Sequence, residues 1–250
     1  MSKNNLTAER RKNLVNDILR INAILIVALV TFSIALLRTL QLSGIFPWKV
    51  LGLFLVGSAL TLILATRHFP SHSFGPANQV TLARAALVAL LFGLIGEPLV
   101  PWLVVIVASF VLVLDGVDGW LARRFGVASD FGARFDMETD AVLLVALVAL
   151  AWQYQKAGSW IILAALMRYC FVASSYFFLW LSRPLPPKRR RQTAYVIQAV
   201  ALIVCISPVV GQPLSGAIAL LGLAVLSLSF AIDVAHLTQD PSDLVKHSRT

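Results

Sequence analysis

Four aspartates carry the chemistry of this sequence. Asp115 and Asp118 are spaced i, i+3, and Asp136 and Asp140 are spaced i, i+4. On helices, each pair falls on one face. The first pair follows the apolar run 104–114 and the second precedes the apolar run 141–151. Carboxylates beside a membrane-length run are costly and rare. Four of them in one small site cannot all ionise without compensation, which leaves protons or bound cations. The set holds oxygen only, with no His or Cys beside it, and suits hard cations such as Mg²⁺, Mn²⁺ or Ca²⁺. Two such ions on four carboxylates suit displacement at phosphorus, where both the attacking and the leaving oxygen need help. Asp136 alone, near a helix start, would be an ordinary acid at the positive end of a helix. The matched pairs argue against that explanation for all four.

The elements that must position them are membrane helices. The chain has 250 residues, 58% hydrophobic and 13% charged, with mean hydropathy +0.82. A soluble domain carries about 25% charged residues. Disorder and an ordinary soluble globule are both excluded. Eight apolar segments span about 21–38, 48–66, 79–96, 99–121, 136–155, 159–182, 192–210 and 214–236. Continuous runs of this kind form helices, because each backbone amide must be satisfied within lipid. The expected fold class is all-α, a polytopic membrane bundle of about eight helices.

Lys and Arg concentrate in the N-terminal segment (Lys3, Arg10, Arg11, Lys12, Arg20) and in the 67–78, 122–135 and 183–191 connections. The intervening connections are poorer in them. The alternation predicts both termini and the aspartates on the cytoplasmic side. Residues 6–19 read equally well as an interfacial helix or a solvated basic tail. The first apolar block reads as a retained helix, not a signal peptide. The net charge of +9 reflects topology; no aromatic-interleaved basic domain exists, so nucleic acid is not an expected partner. Cys170 and Cys205 lie inside apolar blocks and read as small hydrophobes.

Gly116, Gly119, Gly126 and Gly132 crowd the aspartate hairpin. Small residues let a backbone or flat ligand approach, although tight helix packing explains Gly116 and Gly126 equally well. Arg123 follows Ala122 and is placed to hold a phosphate. Arg168 lies near the middle of its apolar segment, where an unpaired charge is expensive. It is expected to face a polar cavity, binding an acceptor phosphate or pairing with an aspartate. Lys188 and Arg189 to Arg191 set topology and attract lipid headgroups, or capture a phosphorylated acceptor. From the carboxylates alone, a cation transporter remains a rival, but a transporter places its sites near mid-bilayer.

The string Asp115-x-x-Asp118-Gly119-x-x-Ala122-Arg123, eight residues, Gly132-x-x-x-Asp136-x-x-x-Asp140 resembles the CDP-alcohol phosphotransferase signature at every fixed position. The resemblance implies a transfer of a substituted phosphate from a CDP-alcohol to an acceptor hydroxyl, with release of CMP. It implies two divalent cations, Mg²⁺ or Mn²⁺, on Asp115, Asp118, Asp136 and Asp140, with Asp140 also the general base. Gly119, Ala122, Arg123 and Gly132 resemble the positions that cradle the nucleotide, alongside Asp118. Asn78-x-x-Thr81-x-x-Arg84 resembles the start of the family's first core helix, with Asn78 and Thr81 on the nucleotide and Arg84 on a phosphate. Arg84, Arg168, Arg190 and Arg191 form the expected acceptor set.

The family organisation implies a basic segment over 1–20, two added helices over 21–75, a core over 76–236 and a tail over 237–250. It also implies a homodimer among membrane lipid, in an inner or plasma membrane. CDP-diacylglycerol is the expected donor. A phosphorylated polyol such as glycerol 3-phosphate or inositol phosphate is the expected acceptor, with serine, choline or a lipid as alternatives. Met137, Glu138 and Thr139 depart from the small residues common there, and Glu138 has no assigned role.

Overall fold

A computed structural model describes residues 3–68, 74–125, 130–177 and 189–239. Among the described residues eight α-helices follow one another: α1 (Lys3–Leu40), α2 (Phe46–His68), α3 (Pro76–Gly93), α4 (Pro101–Phe125), α5 (Asp130–Gln153), α6 (Ile162–Phe177), α7 (Arg189–Ile206) and α8 (Leu214–Gln239). A 3-10 turn, Ser159–Ile161, leads into α6. No strand occurs among the described residues.

Proline and glycine punctuate the chain where the local chemistry demands. Pro76 and Pro101 open α3 and α4, where the missing N–H costs nothing. Gly75 precedes α3 at φ +73° and Gly96 turns the chain after it at φ +80°, a region L side chains rarely enter.

Among the described residues four stretches are long and apolar enough to cross a membrane: Lys12–Leu40, Phe46–Ala65, Pro101–Leu121 and Leu214–Ala235. The other four helices interrupt their apolar runs. α3 carries Asn78, Gln79 and Arg84; α5 carries Arg134, Asp136, Glu138 and Asp140; α7 opens on three arginines and a glutamine. α6 has 16 described residues. Large apolar side chains such as Ile24, Val56, Ile106, Phe110, Val113, Leu220 and Leu221 are exposed. Exposure on this scale marks a surface that meets lipid. Trp48 and Trp102 are exposed at the first turns of α2 and α4, where interfacial aromatic rings are expected.

The segment over 6–19 is helical and forms part of α1, continuing without a break into its apolar run. Leu14 and Ile18 are buried, so this stretch already has a packed face.

The described chain divides into two compact units, one up to Ala146 and one from Leu147. In the first, α2 packs on α1 and α3, and α3 packs on α4. Asn22 and Ser58 tie α1 to α2: Ser58 Oγ donates to Asn22 Oδ1 at 2.5 Å, and Asn22 Nδ2 donates to Ile18 O at 2.9 Å. Such polar pairs fix helix contacts where lipid supplies no hydrophobic drive. At Gly93, a Cβ would stand 2.3 Å from Val50 Cγ2 and 3.2 Å from Phe46. Gly93→Val is therefore expected to cost about 1–3 kcal/mol by overpacking α2 against α3. Thermal unfolding in detergent checks this, with Gly57→Ala, where a Cβ meets nothing within 4 Å, as the control.

The same unit carries an ionic clasp between its turns. Glu97, after α3, accepts from Lys49 Nζ at 2.8 Å, Ser43 Oγ at 2.6 Å and Ser43 N at 2.8 Å. Lys49 Nζ also donates to Ile95 O at 2.9 Å. Burial pushes the Glu97 carboxyl upward, but these bonds outweigh it and hold its pKa below the ordinary value.

In the second unit, α7 packs on α8. A Cβ at Gly222 would lie 2.6 Å from Gln198 Oε1 and 2.8 Å from Ala201 Cβ, so the two helices approach closely there. Lys156 Nζ donates to Ser207 O and Val210 O, taking up carbonyls at the end of α7.

Candidate active site

α4 and α5 run further than the apolar segments predict. α4 reaches Phe125, so Asp118 lies about two turns from its end. α5 begins at Asp130, so Asp136 lies nearly two turns in, not at the opening of the helix. Before Asp136, Ala133 and Arg134 are exposed while Phe131 is buried, and helical hydrogen bonding carries both helices past their hydrophobic runs. The aspartates are thus held on regular helix, and their i, i+3 and i, i+4 spacings place each pair on one face.

The four carboxylates converge on a single side chain, Arg84 of α3. Arg84 Nη1 meets Asp118 Oδ2 at 2.8 Å and Asp136 Oδ1 at 2.5 Å. Arg84 Nη2 meets Asp115 Oδ1 at 2.8 Å and Asp140 Oδ1 at 2.5 Å. The side chain of Arg84 is 0% exposed. Its partners open progressively to the outside: Asp118 is 5% exposed, Asp115 12%, Asp140 20% and Asp136 38%. One side of the quartet is therefore sealed by α3 and the other is accessible.

α3 supplies two more residues. Thr81 Oγ1 lies 3.0 Å from Asp118 Oδ2 and 3.1 Å from Ala77 O, so its one proton serves either acceptor. Asn78 is buried, and its Nδ2 donates to Phe74 O at 2.7 Å. Phe74 packs its ring against Phe131 and Phe135 at centroid distances of 6.4 and 6.5 Å. These rings fasten the start of α3 to the first turns of α5, and so hold Arg84 and Asp136 in register.

One oxygen each from Asp115, Asp118 and Asp136 falls within 4.8 Å of the others. That is a compact all-oxygen donor set. Among the described residues one guanidinium, that of Arg84, faces the four carboxylates. The set fits hard divalent cations.

The remaining expected site residues are distributed differently. Gly119 and Gly132 are half-buried on α4 and α5. Ala122, Arg123 and Arg168 lie on helices, but their side chains are outside the described residues, as is Lys188. Arg190 forms an ion pair with the buried Asp233 of α8, and Arg191 Nε lies 3.9 Å from the same carboxylate. Glu138 is exposed. At Gly116 nothing among the described residues lies within 4 Å of a Cβ.

The sequence reading places Arg84 on a substrate phosphate rather than on the aspartates, and it does not single out Asp233. The signal for Arg84 was available. An arginine within Ala-Arg-Ala-Ala-Leu-Val-Ala-Leu-Leu must find acid, and the largest acid surplus is the quartet. Asp233 sits likewise in an apolar stretch and needs a cation.

The family profile described as CDP-alcohol phosphatidyltransferase matches residues 74–230, more than half of the chain. That span holds every residue of the aspartate centre. A stretch of 47 residues is 45% identical to CDP-diacylglycerol--inositol 3-phosphatidyltransferase 1 of Arabidopsis thaliana. It covers 19% of this chain and 21% of that relative's length. No solved structure matches the chain. The motif, its convergence on one buried point and the profile agree: the chain belongs to the CDP-alcohol phosphatidyltransferase family, a family of transferases.

Proposed function

We propose that the protein transfers a phosphatidyl group from CDP-diacylglycerol to a polyol hydroxyl, releasing CMP, in phospholipid synthesis. The observation that carries this reading is the convergence of four motif aspartates on the buried Arg84 of α3, with Asp136 and Asp140 partly exposed. Asp115, Asp118, Asp136 and Asp140 would hold two divalent cations, Mg²⁺ or Mn²⁺. Bound there, the ions supply neutralisation of the diphosphate's negative charge.

The chain's own residues do the rest. Asn78, Thr81, Gly119, Ala122, Arg123 and Gly132 cradle the cytidine and its phosphates. The acceptor oxygen forms a bond to the β-phosphorus as the bond from that phosphorus to the CMP oxygen breaks. The proton of the acceptor hydroxyl passes to the Asp140 carboxylate. A membrane-embedded site suits such a donor, because its acyl tails stay in lipid while the nucleotide sits among the aspartates.

The acceptor belongs to the same proposal. A phosphorylated polyol is supported by the basic start of α7, although Asp233 already neutralises part of that charge. A free polyol is supported by the Arabidopsis relative, whose name gives inositol as its acceptor. Eight spans, cytoplasmic termini, a plasma-membrane location and a homodimer complete the reading, as does a core over 76–236 preceded by two added helices. The test is CMP release from CDP-diacylglycerol in detergent with Mg²⁺ or Mn²⁺. The acceptors are inositol, inositol phosphate, glycerol 3-phosphate, serine and choline. Release with a polyol supports the proposal. No release with any acceptor overturns it, and release with serine or choline alone overturns the polyol.

A further inference from the structure

A guanidinium has five N–H donors in a fixed planar fork. Arg84 commits its two terminal nitrogens to four carboxylates, two per nitrogen. The remaining donor, Nε–H, is buried and has no hydrogen-bond partner among the described residues. The side chain is fully enclosed and comes from a helix outside the aspartate hairpin. Nothing in this arrangement is a surface ion pair. It is a cation at the focus of oxygens that also form a compact donor set for a metal.

We propose that Arg84 is a resident counter-cation. It gathers the four carboxylates before a divalent ion arrives, and it competes with that ion for their negative charge. The inference rests on reading the aspartates as cation ligands. Three physical points support it. Four carboxylates brought together without a cation repel one another, and removing Arg84 takes away the buried counter-charge that the described residues supply. Arg84 engages one oxygen on each of Asp115, Asp118 and Asp136, the carboxylates of the compact set, so a metal bound there shares their negative charge with the guanidinium and is repelled by it. A lysine cannot substitute, since its ammonium has three donors and no planar fork. Arg84 is thus a positioning residue, acting through the aspartates.

The experiment measures binding of Mn²⁺ alone to the full-length protein in detergent, by electron paramagnetic resonance, without nucleotide or acceptor. Arg84→Gln is expected to bind Mn²⁺ about tenfold or more tightly than wild type, because the competing charge is gone. Its metal-free unfolding temperature should fall, and Mn²⁺ should raise it more than it raises wild type's, since a ligand stabilises in proportion to its affinity. Arg84→Lys should lie between the two, and it carries the test if Arg84→Gln does not fold. Equal or weaker Mn²⁺ binding in the variants, with wild type binding normally, overturns this inference and leaves the metal reading intact. Absence of Mn²⁺ binding from wild type and variants alike overturns the metal reading itself.

Discussion

Asp140→Asn is expected to lower CMP release by about 10²–10⁴-fold, the range by which a positioned acid or base accelerates a proton transfer. Asparagine keeps the size and shape of the side chain but cannot take a proton and is a poor ligand for a hard cation. Asp140 is 20% exposed, open enough to meet an acceptor, while its Oδ1 is held 2.5 Å from Arg84 Nη2. The substitution removes one of four partners of a guanidinium that keeps the other three, so the helices should still assemble. Asp115→Ala should cost a comparable factor by a different route, the loss of a ligand carboxylate. Size-exclusion elution and helical circular dichroism unchanged from wild type would show that the loss is chemical. Full activity in either variant would remove that aspartate from the reaction.

The second large effect is on stability. Lys49→Met removes the cation paired with the Glu97 carboxylate, whose side chain is 1% exposed. Breaking a buried pair from one side costs about 3–5 kcal/mol. The partial exposure of Lys49 and the bonds from Ser43 that survive place this case toward the lower end. Thermal unfolding in detergent measures it, and a midpoint within a degree of wild type would refute the clasp. The pH dependence has a definite sign. Glu97 has a lowered folded pKa, so its contribution is complete above its ordinary value of 4.5. It is lost as pH falls from there through the folded pKa. Wild type should therefore lose stability below about pH 4.5 by an amount that Glu97→Gln does not.

The sequence made the centre visible because acid in an apolar chain is conspicuous. Asp115, Asp118, Asp136 and Asp140 stand out by type, and helical periodicity pairs them. Helix ends were harder to read. Apolar runs mark where lipid is, not where hydrogen bonding stops, so α4 and α5 extend past theirs and α1 begins well before its own. For the same reason four helices meet the length and apolarity of a span, while α3, α5 and α7 hide polar residues inside theirs. Long-range partners were least legible. The bond from Thr81 to Asp118 crosses 37 residues and that from Ser43 to Glu97 crosses 54. No local pattern encodes such distances; they emerge only when helices pack.

The unbroken course of α1 has a practical consequence. Its 38 residues extend about 57 Å at 1.5 Å per residue. A hydrocarbon core is about 30 Å thick. Even a strongly tilted rod of that length protrudes from the bilayer, and its basic early turns are the part that emerges. A rigid helical fusion joined in phase there would give electron cryomicroscopy an orientation marker on a small particle. A one-residue insertion at the junction would swing that marker by about 100°.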